Sequence, residues 1–228
     1  RKACEGNRLR HCSMMSDRTV LALDLSSPQG VIAVLRDGEI AFEARFTAER
    51  SHNAQVFAPL GEALDCIGAT LAVLVIGTGP GSYTGVRIAI AAAQGIALSR
   101  GWPVVGWPSI TTAPTADYQV IGDARRGMYY TTTVNNRLLG PIAITDAATA
   151  QAQVDAGGDW YSFDAKAPLG LTQVHLCAAN AVELARTIAA LPEEEIQRLS
   201  EQSLEPLYLQ EAFITTAKKA GKAVPQQR

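Results

Sequence analysis

The chain is short of charge. Only 18% of its 228 residues are Asp, Glu, Lys or Arg, against roughly 25% in soluble domains, and a surface short of charge often has a partner covering part of it. Its 20 basic and 22 acidic side chains give a formal net charge of −2. That excludes a global basic field for nucleic acid, so any RNA must be held by a local patch or by another subunit. Cysteine is scarce as well. Cys4, Cys12, Cys66 and Cys177 form no Cys-x-x-Cys pair, which argues against a disulfide framework or a zinc site and makes a reducing cytoplasm the expected location. His11, His52 and His175 are isolated, without metal-ligand spacing. The longest apolar stretch, Ile88 to Leu98, is too short to span a bilayer and is interrupted by Gln94, so no membrane partner is expected. No signal peptide is visible, since the first fifteen residues are basic and lack an apolar segment. Residues 1–15 are expected to form a disordered extension, and residues 217–228 a frayed tail.

The most informative segment is Gly77-Thr78-Gly79-Pro80-Gly81-Ser82-Tyr83-Thr84-Gly85-Val86-Arg87. It follows the apolar run Leu71–Ile76 and precedes a long Ala-rich run, an order that predicts strand, glycine turn and helix. Such a turn aims backbone N–H groups and a helix N-terminus at whatever lies in front of it, which suits an anion. No lysine follows the last glycine, however, so this is not a Walker-type loop, and Thr84 stands where a dinucleotide fingerprint needs its third glycine.

Hydrophobic periodicity and turn signals outline the remainder. Strands are expected at 20–23, 31–36 and 39–47, the last two joined by an Asp37-Gly38 hairpin. A helix is expected from about Ser51 to Gly68, with Val56, Phe57, Leu60, Leu64 and Ile67 on one face and Pro59 marking an early turn or kink. A strand at 71–76, a helix from Thr84 to about Ser99, a short strand at 103–105 and a short helix at 108–112 follow. The second half opens in the same way: a strand at 118–121 ending at Asp123, a turn at Arg125-Arg126-Gly127, a return strand at 128–134, and a third strand at 138–144. Thr145-Asp146 caps a short helix, short strands follow at 160–163 and 174–176, and Asn180–Leu191 is an amphipathic helix. Pro206–Leu209 is a last strand or extended segment. The three-strand opening thus occurs twice, which suggests a worn duplication. The expected organisation is a first lobe at 16–113 and a second, shortened lobe at 114–216, each on a mixed sheet of ribonuclease H-like order with helices.

From Thr84 to Arg100 the only long polar side chains are Arg87, Gln94 and Arg100. A helix apolar nearly all round must be covered nearly all round. One side packs on the sheet, and in a chain of this size the other has little of its own to meet. We therefore expect a helix–helix protein interface there, with Thr84, Arg87, Ile88, Ala91, Ala92, Gln94 and Gly95 as its candidates and Arg87 as the polar anchor.

The glycine segment closely resembles the Gly-Pro-Gly-Ser-Phe-Thr-Gly-Leu-Arg signature of the TsaB (YeaZ) family, with Tyr83 in place of Phe and Val86 in place of Leu. Leu23-Asp24-Leu25-Ser26-Ser27 is similar to the family's Asp-Thr-Ser segment, with Leu25 where Thr is usual. Asp123-Ala124-Arg125-Arg126-Gly127 and Glu205-Pro206-Leu207-Tyr208-Leu209 resemble two further family segments, in the right order. His52-Asn53-Ala54 departs from a usual His-Ser-Glu. The resemblance runs from about Arg18 to Phe213. It implies a two-lobed α/β fold of the actin, Hsp70 and sugar-kinase type, each lobe on a ribonuclease H-like sheet and the second reduced. It also implies a non-catalytic platform that pairs with a paralogous TsaD-like catalytic subunit and a TsaE-like ATPase. Together these place a threonylcarbamoyl group on the adenosine beside the anticodon of ANN-reading tRNAs. By the same implication the chain needs no cofactor itself, while the complex uses ATP and Mg²⁺; it meets tRNA through the complex, and it self-associates through the partner-binding surface in isolation.

Two alternatives stand beside this reading. Asp24, Ser26, Gly79, Gly81, Ser82 and Asp123 are candidates for an inherited nucleotide or phosphate site. In an active ATP-using enzyme of this fold Asp24 and Asp123, each following the first strand of a repeat, would flank Mg²⁺, and Gly157-Gly158 would back an adenine. The short second lobe, the lack of an evident base and the glycine turn without lysine weigh against it; Asp24 and Asp123 then simply cap the turns that follow them. A glycoprotease-type peptidase needs a metal ligand set or a nucleophile with a paired base, and the three histidines show neither.

Overall fold

The computed structural model describes residues 18–47 and 55–209. The expected N-terminal extension, the His52-Asn53-Ala54 segment and the C-terminal tail lie outside these residues. The first half forms β1 (Thr19–Asp24), β2 (Gln29–Arg36), β3 (Glu39–Thr47), α1 (Phe57–Ile67), β4 (Ala72–Gly77), α2 (Tyr83–Arg100), β5 (Val104–Trp107) and a 3-10 turn at Ser109–Thr111. The second half forms β6 (Tyr118–Arg125), β7 (Met128–Asn135), β8 (Leu138–Leu139), β9 (Ala143–Asp146), α3 (Ala147–Asp155), β10 (Trp160–Ser162), a 3-10 turn at Pro168–Gly170, β11 (Val174–Leu176), α4 (Ala181–Ala189) and α5 (Glu193–Ser200).

The two sheets share one topology. The first runs β3-β2-β1-β4-β5, and the second runs β11-β10-β6-β7-β8, with β9 also paired to β7. In each, the first two strands pair antiparallel and the first strand pairs parallel with the one after the helix. This is the duplicated ribonuclease H-like arrangement expected from the two three-strand openings, and it gives the two-lobed α/β fold. The halves differ in their helices. Between β4 and β5 stands the 18-residue α2; between β10 and β11 stands only the three-residue turn at Pro168–Gly170. That is where the second lobe is reduced.

Every residue of β1 and of β4 is buried, as in strands covered on both faces. One face, with Leu21, Leu23, Ile32, Leu74 and Ile76, packs under α1 and α2. The other, with Val20, Ala22, Ala33, Val73 and Val75, packs against Val182, Leu184, Ala185 and Ile188 of α4 and Ile196 of α5. This corrects the expected grouping of residues 114–216 in one lobe: α4 and α5 return to the first sheet. The amphipathic pattern of 180–191 fixes which face of α4 is buried, but not the surface that buries it. Complete burial of a side chain such as Leu184 or Ile188 contributes roughly 1.5–3 kcal/mol. Polar contacts hold the return in place. Arg18 donates to the Leu191 carbonyl at 2.9 Å and to Glu193 at 2.6 Å, and Arg137 of the β7–β8 turn pairs with Glu183 of α4 at 2.9 Å.

Smaller departures have local causes. Pro59 lies in the first turn of α1, where its missing N–H has no helical partner to lose. The single strand expected at 138–144 is split at Gly140-Pro141 into β8 and β9, since proline cannot donate to a ladder.

Candidate functional site

The glycine turn links β4 to α2 as expected, and its Gly79–Pro80 peptide is cis. A Cβ on Gly81 would collide with the Ser26 carbonyl, and one on Gly85 with the Leu25 carbonyl. The two glycines therefore let the turn press onto the chain's own β1–β2 connection. Ser82 N donates to the Ser26 carbonyl at 2.6 Å, and the Ser82 hydroxyl caps α2 by accepting from Gly85 N at 3.2 Å. Thr78 N donates to the Trp107 carbonyl at 2.8 Å, and Gly79 N to the Ser109 hydroxyl at 2.9 Å. Four N–H groups of this turn thus already have partners within the protein.

Asp24 is completely buried. Its Oδ1 accepts from Ser26 N at 2.7 Å and from the Ser26 hydroxyl at 2.6 Å. Its Oδ2 lies against Gly77, where no side chain would fit, and has no hydrogen-bond partner. Burial pushes the Asp24 carboxyl above its ordinary range, and the neighbouring Ser109 and Ser26 only partly offset that. Asp123 repeats the turn in the second lobe: its Oδ1 accepts from Arg125 N at 2.7 Å, but the residue is exposed. Its own N–H donates to Asp164 Oδ2 at 2.7 Å. Burial raises the Asp164 carboxyl, with the charge of Asp123 adding to the effect.

These residues do not fit a Mg²⁺-nucleotide in the manner the alternative requires. Asp24 has no surface to offer a cation, and the Cβ side of Gly81 is occupied by the Ser26 carbonyl. The Gly157-Gly158 pair closes α3, through Gly157 N to the Val154 carbonyl at 3.0 Å, and packs on the Gln119 side chain. Among the described residues no three metal-donor side chains come together, and no helix is long and apolar enough to cross a membrane.

Between the lobes lies a cleft of about 940 Å³. Ser26, Thr78, Gly81 and Tyr83 line it from the first lobe, and Asp123, Arg125, Arg126, Asp164 and Lys166 from the second. The segment 204–209 straps its side. Leu207 N donates to the Thr78 carbonyl at 2.8 Å, Leu204 packs on the first core, and Leu209 packs on the second.

The exposed face of α2 is the second feature. Tyr83, Thr84, Arg87, Ala91, Gln94, Gly95 and Leu98 are exposed, while Ile88 and Ala92 are half-buried beside them. The spacing places them on one stripe of the helix. Gly85, Val86, Ala89, Ile90 and Ala93 form the buried stripe. All seven interface candidates therefore lie on or beside the face turned away from the sheet. Near its N-terminal end is a shallow groove of about 330 Å³ lined by Tyr83, Thr84, Arg87, Ile88 and Ala91.

A family model, TsaD: tRNA N6-adenosine threonylcarbamoyltransferase, matches residues 46–196. The chain is 29% identical over 168 residues to the tRNA threonylcarbamoyladenosine biosynthesis protein TsaB of Escherichia coli K12, covering 68% of this chain and 64% of that protein. It is 34% identical over 122 residues to the protein of the same name from Bacillus subtilis 168, covering 50% and 53%. The chain belongs to the TsaB/YeaZ family. It spans about half to two thirds of the length of the curated relatives it matches. In fold it is similar to the solved YeaZ from Pseudomonas aeruginosa, with a TM-score of 0.60 at 23% identity, covering 84% of this chain and all of that one.

The TsaB/YeaZ signature segments converge in space. The glycine turn, the Ser26 and Asp123 turns and the Pro206–Leu209 strap all border the cleft. Two side chains gain a place that sequence reading did not give them. Tyr83 lines both the cleft and the α2 groove, and Tyr208 packs against it in a tilted arrangement, 5.8 Å between ring centroids. The signal was present in the family's closing segment, but nothing in one dimension brings residue 208 to residue 83.

Proposed function

We propose that this chain is a non-catalytic platform subunit acting in tRNA threonylcarbamoyladenosine biosynthesis. In this reading it pairs through the exposed face of α2 with a paralogous TsaD-type catalytic subunit and works with a TsaE-type ATPase. The observation that carries it is the stripe from Thr84 to Leu98: an ordered, well-capped helix whose outer face presents small and apolar side chains with a single charge, Arg87, near its start. Leu98 is 90% exposed, and a Cβ on Gly95 would meet nothing within 4 Å, so another helix can approach closely. The sealed Asp24 and the self-filled glycine turn support a role without chemistry of its own. ATP and Mg²⁺ then belong to the partners, tRNA is met through the complex, and in isolation the same face pairs with a second copy.

The test is co-purification with the TsaD-type subunit encoded by the same genome. Ala91→Trp, which fills the middle of the face, is expected to abolish the complex without lowering the melting temperature of this chain. An intact complex with Ala91→Trp overturns the assignment of the interface to α2.

A further inference from the structure

We infer that the docking surface is composite: Tyr208, from the strap, and Tyr83 form a two-ring platform that holds Arg87 toward a carboxylate on an apolar helix of the TsaD-type partner. The inference rests on the platform reading above and adds to it the strap and the chemistry of the partner's contact.

Arg87 donates to the Tyr83 hydroxyl at 2.9 Å, and its guanidinium lies 5.2 Å from the centre of that ring. Tyr208 packs against the Tyr83 ring from the strap, with the ring planes inclined at 44°. The strap is itself fixed by Leu207 N on the Thr78 carbonyl at 2.8 Å and by Leu204 in the first core. Arg87 is thus aimed by groups on two elements far apart in sequence, and a guanidinium held this way loses less freedom on binding than a solvated one. The Tyr83 hydroxyl belongs to this chain and not to the family signature, which carries Phe there.

Arg87 makes no ion pair among the described residues, with seven such pairs formed elsewhere. Between Tyr83 and Arg100 the chain has no Asp or Glu. A second copy packed α2 on α2 would therefore offer Arg87 only another helix without a carboxylate. Charge complementarity favours a different chain: an apolar helix to fill the groove over Ile88 and Ala91, with one acidic side chain at the level of Arg87.

The experiment is isothermal titration of the full chain and its variants with the TsaD-type subunit of the same genome, at low and high salt. Arg87→Ala is expected to weaken binding by about 30-fold and to flatten its salt dependence. Tyr208→Ala is expected to weaken it by about fivefold, while Tyr208→Phe, which keeps the ring, stays within about twofold. In the Arg87→Ala background Tyr208→Ala has no further effect, because both act through one contact. If Tyr208→Ala binds like the wild type, or adds fully to Arg87→Ala, while Ala91→Trp abolishes the complex, the composite surface is wrong and the platform reading stands. If the wild type does not bind, or Ala91→Trp binds normally, both are wrong. Sedimentation showing that a second copy occupies the face more tightly than the paralogue, with Arg87→Ala leaving that self-association unchanged, also overturns the inference.

Discussion

The two lobes begin with the same turn and diverge from there. At the end of β1, Asp24 accepts from the N–H two residues on and is sealed beneath Gly77 and Ser109. At the end of β6, Asp123 makes the same bond and stays in solvent at the rim of the cleft. The connection between the fourth and fifth strands of each sheet differs still more, with an 18-residue helix in one lobe and a single 3-10 turn in the other. The first lobe is thus a closed body that displays a helix. The other has been trimmed to a wall. In the first lobe the carboxylate holds a turn, through Ser26 N and the Ser26 hydroxyl.

The largest test of this contrast is at glycine. Gly85→Ala forces a Cβ into the Leu25 backbone carbonyl, and we expect a loss of more than about 4 kcal/mol in denaturant unfolding, or no folded protein. Gly127→Ala in the second-lobe turn meets no atom within 4 Å and is expected to cost about 1–2 kcal/mol, from its positive φ alone. Equal losses would break the distinction between a filled and an open turn. Next, Ile188→Ala in α4, buried against the first sheet, is expected to cost about 3 kcal/mol and to lower the melting temperature of the whole chain. A loss confined to signals from the second lobe would contradict the return of α4 to β1 and β2.

A third test uses pH. Because the folded-state pKa of Asp24 is raised above its unfolded value of 3.8, its contribution to stability is fully present below that value. It is lost as pH rises through the folded pKa. Asp24→Asn keeps the Oδ1 acceptor and removes the buried charge. We expect it to be neutral or stabilising by about 1 kcal/mol at pH 7 and to lose that advantage on acidification toward pH 4, whereas Asp24→Ala costs about 2 kcal/mol by leaving the Ser26 N–H unpaired. A large loss with Asp24→Asn at neutral pH would show that the charge has a function of its own. The smallest expected effect is at the cap of α2: Ser82→Ala should cost about 1 kcal/mol in thermal unfolding and leave partner affinity unchanged within about twofold.

Much of the fold was legible because its signals are local. Asp37-Gly38 and Arg126-Gly127 adopt positive φ at hairpin turns; the alternating and continuous apolar runs marked the strands; Asp146 and Asn180 cap α3 and α4 through Thr149 N and Val182 N. What escaped depends on contacts distant in sequence. The glycines of the turn suggested a phosphate cradle because spacing does not reveal what fills the space, and here it is Leu25 and Ser26. The helix α5 went unseen because Glu193-Glu194-Glu195 fill its first turn and Ile196 is its one buried residue. The exposed stripe of α2 was legible as composition, since a helix so apolar has to be covered, but the Tyr208 platform beside it was not.

The return of α4 and α5 to the first sheet also orders events during synthesis. When residues 18–113 have left the ribosome, one face of their sheet is dressed by α1 and α2 and the other, with Val20, Ala22, Val31, Ala33, Leu35 and Val75, is bare. It stays bare while the entire second lobe is made, and closes only when residues near Ile196 emerge. For about a third of its translation the nascent chain carries an open apolar sheet. A fragment holding the first lobe alone would inherit that surface permanently.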